Sequence, residues 1–313
     1  MKEAGEIMNE ILKAVAGRHL MIGVEGKKVN TAMLRRFTAT HAAGLILFAR
    51  NFESPRQIKK LIHDLQTKLG RALLVAVDQE GGRVLRFTKG LTQFPDALTA
   101  GTKGISYLRR QGQCEAKELA ALGIRMNLAP VLDVLGPHLN PAIGNRSYGK
   151  DPQKVGRLGA ARIQGMQEKG LWACAKHFPG IGLAKMDPHY ELPVIRARSE
   201  FRKHLIPFRM AIKAGVRSVM SSHVLYTDFD CHPATFSHKI IRKLLRKKLK
   251  YSGLVLSDDL EMGALRRFGS VGEAASKAVQ AGHDLVLVCQ DEKKQREAHA
   301  ALCRYLSQIK GKI

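Results

Sequence analysis

Short runs of consecutive apolar residues recur along the chain, and each is followed by a longer stretch with apolar positions at helical spacing. Eight runs stand out: 19–24 (HLMIGV), 44–48 (GLILF), 72–77 (ALLVAV), 126–131 (MNLAPV), 172–177 (WACAKH), 218–223 (SVMSSH), 253–257 (GLVLS) and 284–289 (DLVLVC). Such a run, with little polar alternation, suits a strand buried on both faces in a helix-covered parallel sheet. Between the runs, 54–69, 152–169, 199–214 and 272–281 predict helices, and 292–309 predicts a last helix that closes the fold. Glycine often precedes the next strand, at Ala43-Gly44, Ala214-Gly215 and Ala281-Gly282. There it can end a helix in the left-handed conformation and turn the chain back.

Eight strand-then-helix units predict an α/β fold of the (β/α)8 TIM barrel class, in one domain over residues 1–313 with its core roughly at 19–290. A doubly wound sheet would need a phosphate-binding glycine loop after an early strand, and no G-x-G-x-x-G follows the first. No Pro/Ser-rich linker or break in composition marks a second domain. The 45% of hydrophobic residues allow a large core, and with only 6% aromatics that core must be aliphatic.

The net charge of +25 raises the question of a polyanionic partner. The basic residues are scattered, however, apart from 239–250 (KIIRKLLRKKLK), whose apolar positions recur at helical spacing. That segment reads as an amphipathic helix with a solvated basic face, so nucleic acid is not an expected partner. Five cysteines, Cys114, Cys174, Cys231, Cys289 and Cys303, are odd in number and widely spaced, with no C-x-x-C pair. This argues against a disulfide framework or a zinc site, and Cys174 and Cys289 read as buried thiols. The charged, helix-like N-terminus lacks a signal-peptide apolar region, and no run reaches the roughly 18 apolar residues of a membrane span. The expectation is a soluble cytoplasmic monomer with no membrane partner.

In a barrel of this class chemistry sits at the C-terminal ends of the strands. Polar residues cluster there. The third run leads into Asp78-Gln79-Glu80-Gly81-Gly82-Arg83, the fourth to Asp133 and on to Gly144-Asn145-Arg146. The fifth contains Lys176 and ends in His177-Phe178-Pro179-Gly180; the sixth ends in Ser221-Ser222-His223 and the seventh in Ser257-Asp258-Asp259. Taken singly, Asp78 or Asp259 is as well explained as a helix cap. Carboxylates, cations and imidazoles at one end of five successive strands suit a small, highly polar ligand such as a sugar. There is no HExxH, P-loop or G-x-S-x-G motif, and no metal or cofactor is expected.

The stretches LILFARN, AVDQEGGRVLRF, NLAPVLDV, IGNRSYGKDP, AKHFPGIG, VMSSHVLYTD and LVLSDDLEMGAL resemble the catalytic barrel of glycoside hydrolase family 3. They are most similar to its single-domain bacterial β-N-acetylglucosaminidases of peptidoglycan recycling, over roughly residues 20–289. The resemblance implies a retaining exo-hydrolase of terminal β-linked N-acetylhexosamine, acting on small carbohydrates such as muropeptides. It implies Asp258 as nucleophile, His189 as general acid/base and Asp187 as the group that orients His189. It also implies substrate contacts from Asp78, Arg86, Arg146, Lys176 and His177, with His223 as likely structural as binding. Two departures from the family pattern stand out. KHFPGIGLA replaces KHFPGHGDT, placing Ile181, Leu183 and Ala184 in the loop, and Pro188 takes a position commonly serine. Proline restricts Asp187 to extended backbone, so a stiffer loop is expected. A phosphorylase or β-glucosidase on the same barrel is the alternative reading. A non-catalytic basic polymer-binding protein is the alternative of another class.

Overall fold

The computed structural model describes residues 2–138, 140–196 and 198–310; Met1 and residues 311–313 of the expected domain lie outside these. Eight parallel strands close into a barrel, and each neighbours the next in sequence. They are β1 (Leu20–Gly23), β2 (Gly44–Leu47), β3 (Leu74–Val77), β4 (Met126–Asn127), β5 (Trp172–Phe178), β6 (Ser218–Ser221), β7 (Leu254–Asp259) and β8 (Leu285–Val288). β8 pairs with β1, Leu287 opposite Met21, and closes the ring. The TIM barrel class is thus the observed one.

The unbroken apolar runs follow from two cores. In β2, Ile46 points into the barrel with Met21, Ala76, Met126, Leu128, Cys174, Met220, Leu256, Leu285, Leu287 and Cys289. Its neighbours Leu45 and Leu47 join the outer layer between strands and helices. Every second residue faces the opposite layer, and both layers are apolar, so the period-two signal disappears from the sequence. Cys174 and Cys289 are buried thiols as expected, and burial pushes the Cys174 thiol up to about 12.

All eight expected strands are present, with one shortened. The run 126–131 gives a ladder only at Met126–Asn127, followed by an isolated bridge from Val131 to Lys176. Pro130 has no N–H to donate, so the ladder is interrupted there. The helices lie where the spacing places them: Pro55–Leu69, Pro152–Glu168, Arg198–Lys213, Val271–Ala281 and Glu292–Lys310. Ser54 accepts from the Gln57 N–H, Pro55 opens the first of these, and Gly70 ends it at φ +63°. Gly282 and Gly215 also have positive φ, as expected of helix-ending glycines. Gly44 does not: His41 ends the preceding helix, and Gly44 is needed because a Cβ there would lie 2.8 Å from the Met21 side chain.

The basic segment forms a helix over Lys239–Lys248, but a wide one, of π type. Its end is marked by the bond from the Leu249 N–H to the Leu244 carbonyl, five residues back. Ile240, Ile241 and Leu245 are buried and the charged residues largely face water, as the amphipathic pattern requires. Apolar pairs four to five residues apart fit the wider turn as well as the α-helical one. No described helix is long and apolar enough to cross a membrane.

Candidate active site

A cavity of about 430 Å³ opens at the C-terminal end of the barrel, within the usual size range of small-molecule sites. Its apolar lining includes Ile46, Met220 and Leu287 from the strands and Leu128 just past β4. Its walls carry all eight residues that the sequence analysis names as site residues: Asp78, Arg86, Arg146, Lys176, His177, Asp187, His189 and Asp258. They come from distant parts of the chain, and the shared strand polarity of the barrel brings them to one mouth.

One wall is a charge network. The Lys176 ammonium sits 2.7 Å from Asp78 Oδ1 and 2.6 Å from Glu80 Oε1. Arg146 grips Glu80 with two parallel bonds, Nε to Oε2 at 2.8 Å and Nη2 to Oε1 at 2.7 Å. Arg86 reaches Asp78 at 3.3 Å. Burial opposes charge on the Asp78 and Glu80 carboxyls, but Lys176 with Arg86, and Arg146 with Lys176, outweigh it and hold both below the usual carboxylate range. Desolvation likewise works against the Lys176 cation, and Asp78 and Glu80 reverse it, so Lys176 is held above its ordinary value. The network thus favours the charged forms of Asp78, Glu80 and Lys176. Arg86 Nε is buried and has no hydrogen-bond partner among the described residues.

Behind this wall, Asp133 is fully buried and divides its oxygens between His177 Nδ1, at 2.7 Å, and the Ile181 N–H, at 2.7 Å. His177 thus has only Nε2 left for other partners. Ile181, in the position where the family pattern has histidine, is buried, and its carbonyl accepts from Asn140 Nδ2 at 2.7 Å and from the Ala184 N–H. The unusual loop residues are packed into the protein.

On the other side, Asp258 stands near the end of β7, with Oδ1 accepting from the Asp259 N–H at 2.8 Å. Facing the cavity from the loop after β5, Asp187 Oδ1 meets His189 Nδ1 at 2.6 Å and the His189 N–H at 2.9 Å. Burial disfavours the Asp187 anion, but the backbone N–H and ring of His189 outweigh it and hold Asp187 below its ordinary value. With Nδ1 engaged, Nε2 is the ring nitrogen left free, and the imidazole is 60% exposed at the cavity mouth. Two backbone bonds tie this loop to the one after Asp258: Gly263 N–H to the His189 carbonyl at 2.9 Å, and Ala264 N–H to the Pro188 carbonyl at 3.1 Å.

The Glycosyl hydrolase family 3 N terminal domain matches residues 12–311, nearly the whole chain. The chain belongs to glycosyl hydrolase family 3. A curated relative from Thiobacillus denitrificans, named Beta-hexosaminidase, is 37% identical over 292 residues, covering 90% of this chain and 81% of that protein. A family 3 β-N-acetylglucosaminidase from Paenibacillus superposes with a TM-score of 0.91 at 39% identity; the match covers 95% of this chain but 58% of that one. NagZ from Neisseria gonorrhoeae, in complex with N-trifluoroacetyl-D-glucosamine, superposes with a TM-score of 0.82 at 32% identity, covering 92% and 88%.

Within this family 3 barrel, four features qualify or extend the expected site. Glu80 lines the cavity and joins Lys176 to Arg146, yet the sequence analysis gave it no role. It lies two residues beyond Asp78 on the same stretch, so the period-two rule could have found it. Asp133 was noted at a strand end, but its pairing with His177 across 44 residues left no local signal. His223 has a structural place: its ring nitrogens meet Thr235 Oγ1 at 2.6 Å and the Asp259 carbonyl at 2.9 Å, and burial keeps it below its ordinary pKa. Asp259 lines the cavity too, and burial, with the charges of Glu261 and Asp258, pushes it up to about 7.

Proposed function

We propose that this chain is a retaining exo-β-N-acetylglucosaminidase that removes terminal β-linked N-acetylhexosamine from small soluble glycans, muropeptides among them. The observation that carries the reading is that Asp258 and the Asp187–His189 couple line one cavity, with the loop after Asp258 bonded to the loop that carries His189. The names of the relatives supply the sugar.

In this reading Asp258 attacks the anomeric carbon and forms a glycosyl ester, while His189 Nε2 gives its proton to the departing oxygen. The now neutral imidazole then takes a proton from water, which attacks the same carbon and releases Asp258. Asp187, bonded to Nδ1, fixes the ring so that Nε2 is the nitrogen that serves the departing oxygen. A histidine in this role avoids a second anion beside Asp258. Asp78 accepts from sugar hydroxyls, while Lys176, Arg86, Arg146 and His177 donate to hydroxyl or acetamido oxygens.

A monomer is the proposed functional unit, since this chain by itself supplies the nucleophile, the acid/base couple and the charged wall of the cavity. Free cysteines, two of them buried in the barrel, suit a reducing cytoplasm. The excess of positive charge favours encounter with acidic muropeptides. The test is turnover of p-nitrophenyl N-acetyl-β-glucosaminide beside the plain β-glucoside, with and without phosphate. Free N-acetylglucosamine as the product, at a rate well above that for the glucoside, supports the reading. Glucoside preference, or a sugar 1-phosphate product, replaces it with one of the alternatives.

A further inference from the structure

Three different metal-ligating atoms, from three successive residues, meet on the loop that follows β6. Asp230 Oδ1, Cys231 Sγ and His232 Nδ1 form a small triangle. Its edges are 3.3 Å from sulfur to nitrogen, 3.6 Å from sulfur to oxygen and 3.6 Å from nitrogen to oxygen. None of the three lines the barrel-mouth cavity.

Those edges match a coordination geometry. Zinc binds thiolate at about 2.3 Å, imidazole nitrogen at about 2.0–2.1 Å and carboxylate oxygen at about 2.0–2.2 Å, with tetrahedral angles. Such bond lengths put the ligand atoms of one tetrahedral face about 3.3–3.6 Å apart. The triangle comes within about 0.3 Å of that face on every edge, and an ion above it would keep its fourth position for water. The thiolate and imidazole select a borderline-soft cation such as zinc over magnesium or calcium. The search for cysteine pairs in the sequence passes over this site because its donors are of three kinds and adjacent.

The carboxylate is held ready. Asp230 Oδ2 accepts from Ser237 Oγ at 2.6 Å, and Oδ1 accepts from the Cys231 N–H at 2.8 Å. Hydrogen bonds that fix a ligand's orientation in this way raise its affinity for a metal. The Asp230 side chain is largely buried, while Cys231 and His232 are exposed and open to an ion from solvent. A cation already leans toward this oxygen: the Lys239 ammonium stands 3.8 Å away on an exposed side chain that is free to swing aside. Ser237 also accepts the N–H of Ile240 in the first turn of the basic helix.

We propose that Asp230, Cys231 and His232 form a zinc site that fixes the loop between β6 and the basic helix, separate from the glycosidase cavity. Binding displaces the thiol proton of Cys231 and moves Lys239 off the carboxylate. The ion would hold this loop against the helix start through Asp230 and Ser237.

The test uses the full chain, stripped of metal, with Cys231→Ser and His232→Ala as variants. Zinc is titrated against a chromophoric chelator, cobalt(II) is used to look for the thiolate charge-transfer band, and Cys231 reactivity toward a disulfide reagent is timed. The expected result is one zinc per chain, a thiolate band with cobalt, and labelling of Cys231 slowed about tenfold or more by zinc but not by magnesium. Each variant should weaken binding by about 10–100-fold, and Cys231→Ser should abolish the band. Both should leave glycosidase turnover unchanged in metal-free buffer. Asp187, His189 and Asp258 offer only oxygen and nitrogen donors, so the thiolate band and Cys231 labelling report this site alone. No zinc-dependent protection of Cys231, or undiminished binding in Cys231→Ser, would overturn the proposal.

Discussion

Replacing Lys176 by methionine removes the cation that separates the buried Glu80 carboxylate from the half-buried Asp78 carboxylate. Its side chain is 3% exposed and lies within 2.7 Å of Asp78 and 2.6 Å of Glu80. Removing one partner of a buried ion pair costs about 3–5 kcal/mol. The lower end applies here, about 3 kcal/mol, because Arg86 and Arg146 still face the two carboxylates. At about 2 °C per kcal/mol for a domain of this size, the Tm falls by about 6 °C at pH 8. The sign with pH follows from the carboxyls. In the parent they are held below their ordinary values, so their contribution is present above about pH 4 and is lost as pH falls through the lowered values. In the variant, burial raises Asp78, so its charge penalises the folded state as pH rises through the new value. The gap between parent and variant should therefore widen from pH 5 to pH 8. Thermal unfolding at both pH values measures it. Adding Asp78→Asn to Lys176→Met should recover part of the loss, since Arg86 is exposed enough to lose its partner cheaply. A loss under about 2 °C at pH 8, or a gap that narrows toward pH 8, would refute the reasoning.

Two further predictions concern the loop that carries the imidazole. His189→Ala should slow cleavage of glycosides with poorly acidic alcohols by about 10²–10⁴-fold, and should slow formation of the glycosyl ester much less for p-nitrophenol, which leaves without a proton. Presteady-state rates on both substrates check this, and equal losses would count against a proton donor. Gly263→Ala would place a Cβ 2.4 Å from the Tyr190 carbonyl oxygen and 2.6 Å from that of His189. The loop must shift, so kcat/KM should fall by about tenfold or more while Tm changes little; unchanged kinetics would show that this contact does not position His189.

The barrel was legible because eight apolar runs are buried on both faces, as Leu45 and Ile46 illustrate by entering different cores. The shortening of β4 was also written locally, in Pro130, though the strand pattern masks it. Charged residues at strand ends located Asp78, Lys176 and Asp258, since a parallel barrel sends all such ends to one side. Pairings across long separations were not legible. Arg162 and Glu115 form a buried pair at 2.7 Å that also holds the Gln79 carbonyl, between Asp78 and Glu80, yet each sits in its helix like an ordinary surface charge. The π-type turn of Lys239–Lys248 was hidden as well, because its apolar pairs satisfy either helical period.

Covalent attachment of the sugar is the most direct test of the chemistry. When His189→Ala is mixed with p-nitrophenyl N-acetyl-β-glucosaminide, glycosylation outruns hydrolysis and a glycosyl-enzyme should accumulate. Peptide mass spectrometry after acid quench should find one N-acetylhexosamine on the peptide containing Asp258, and none once Asp258 is replaced by alanine. A sugar bound to a different carboxylate, or an adduct that persists in Asp258→Ala, would contradict the account.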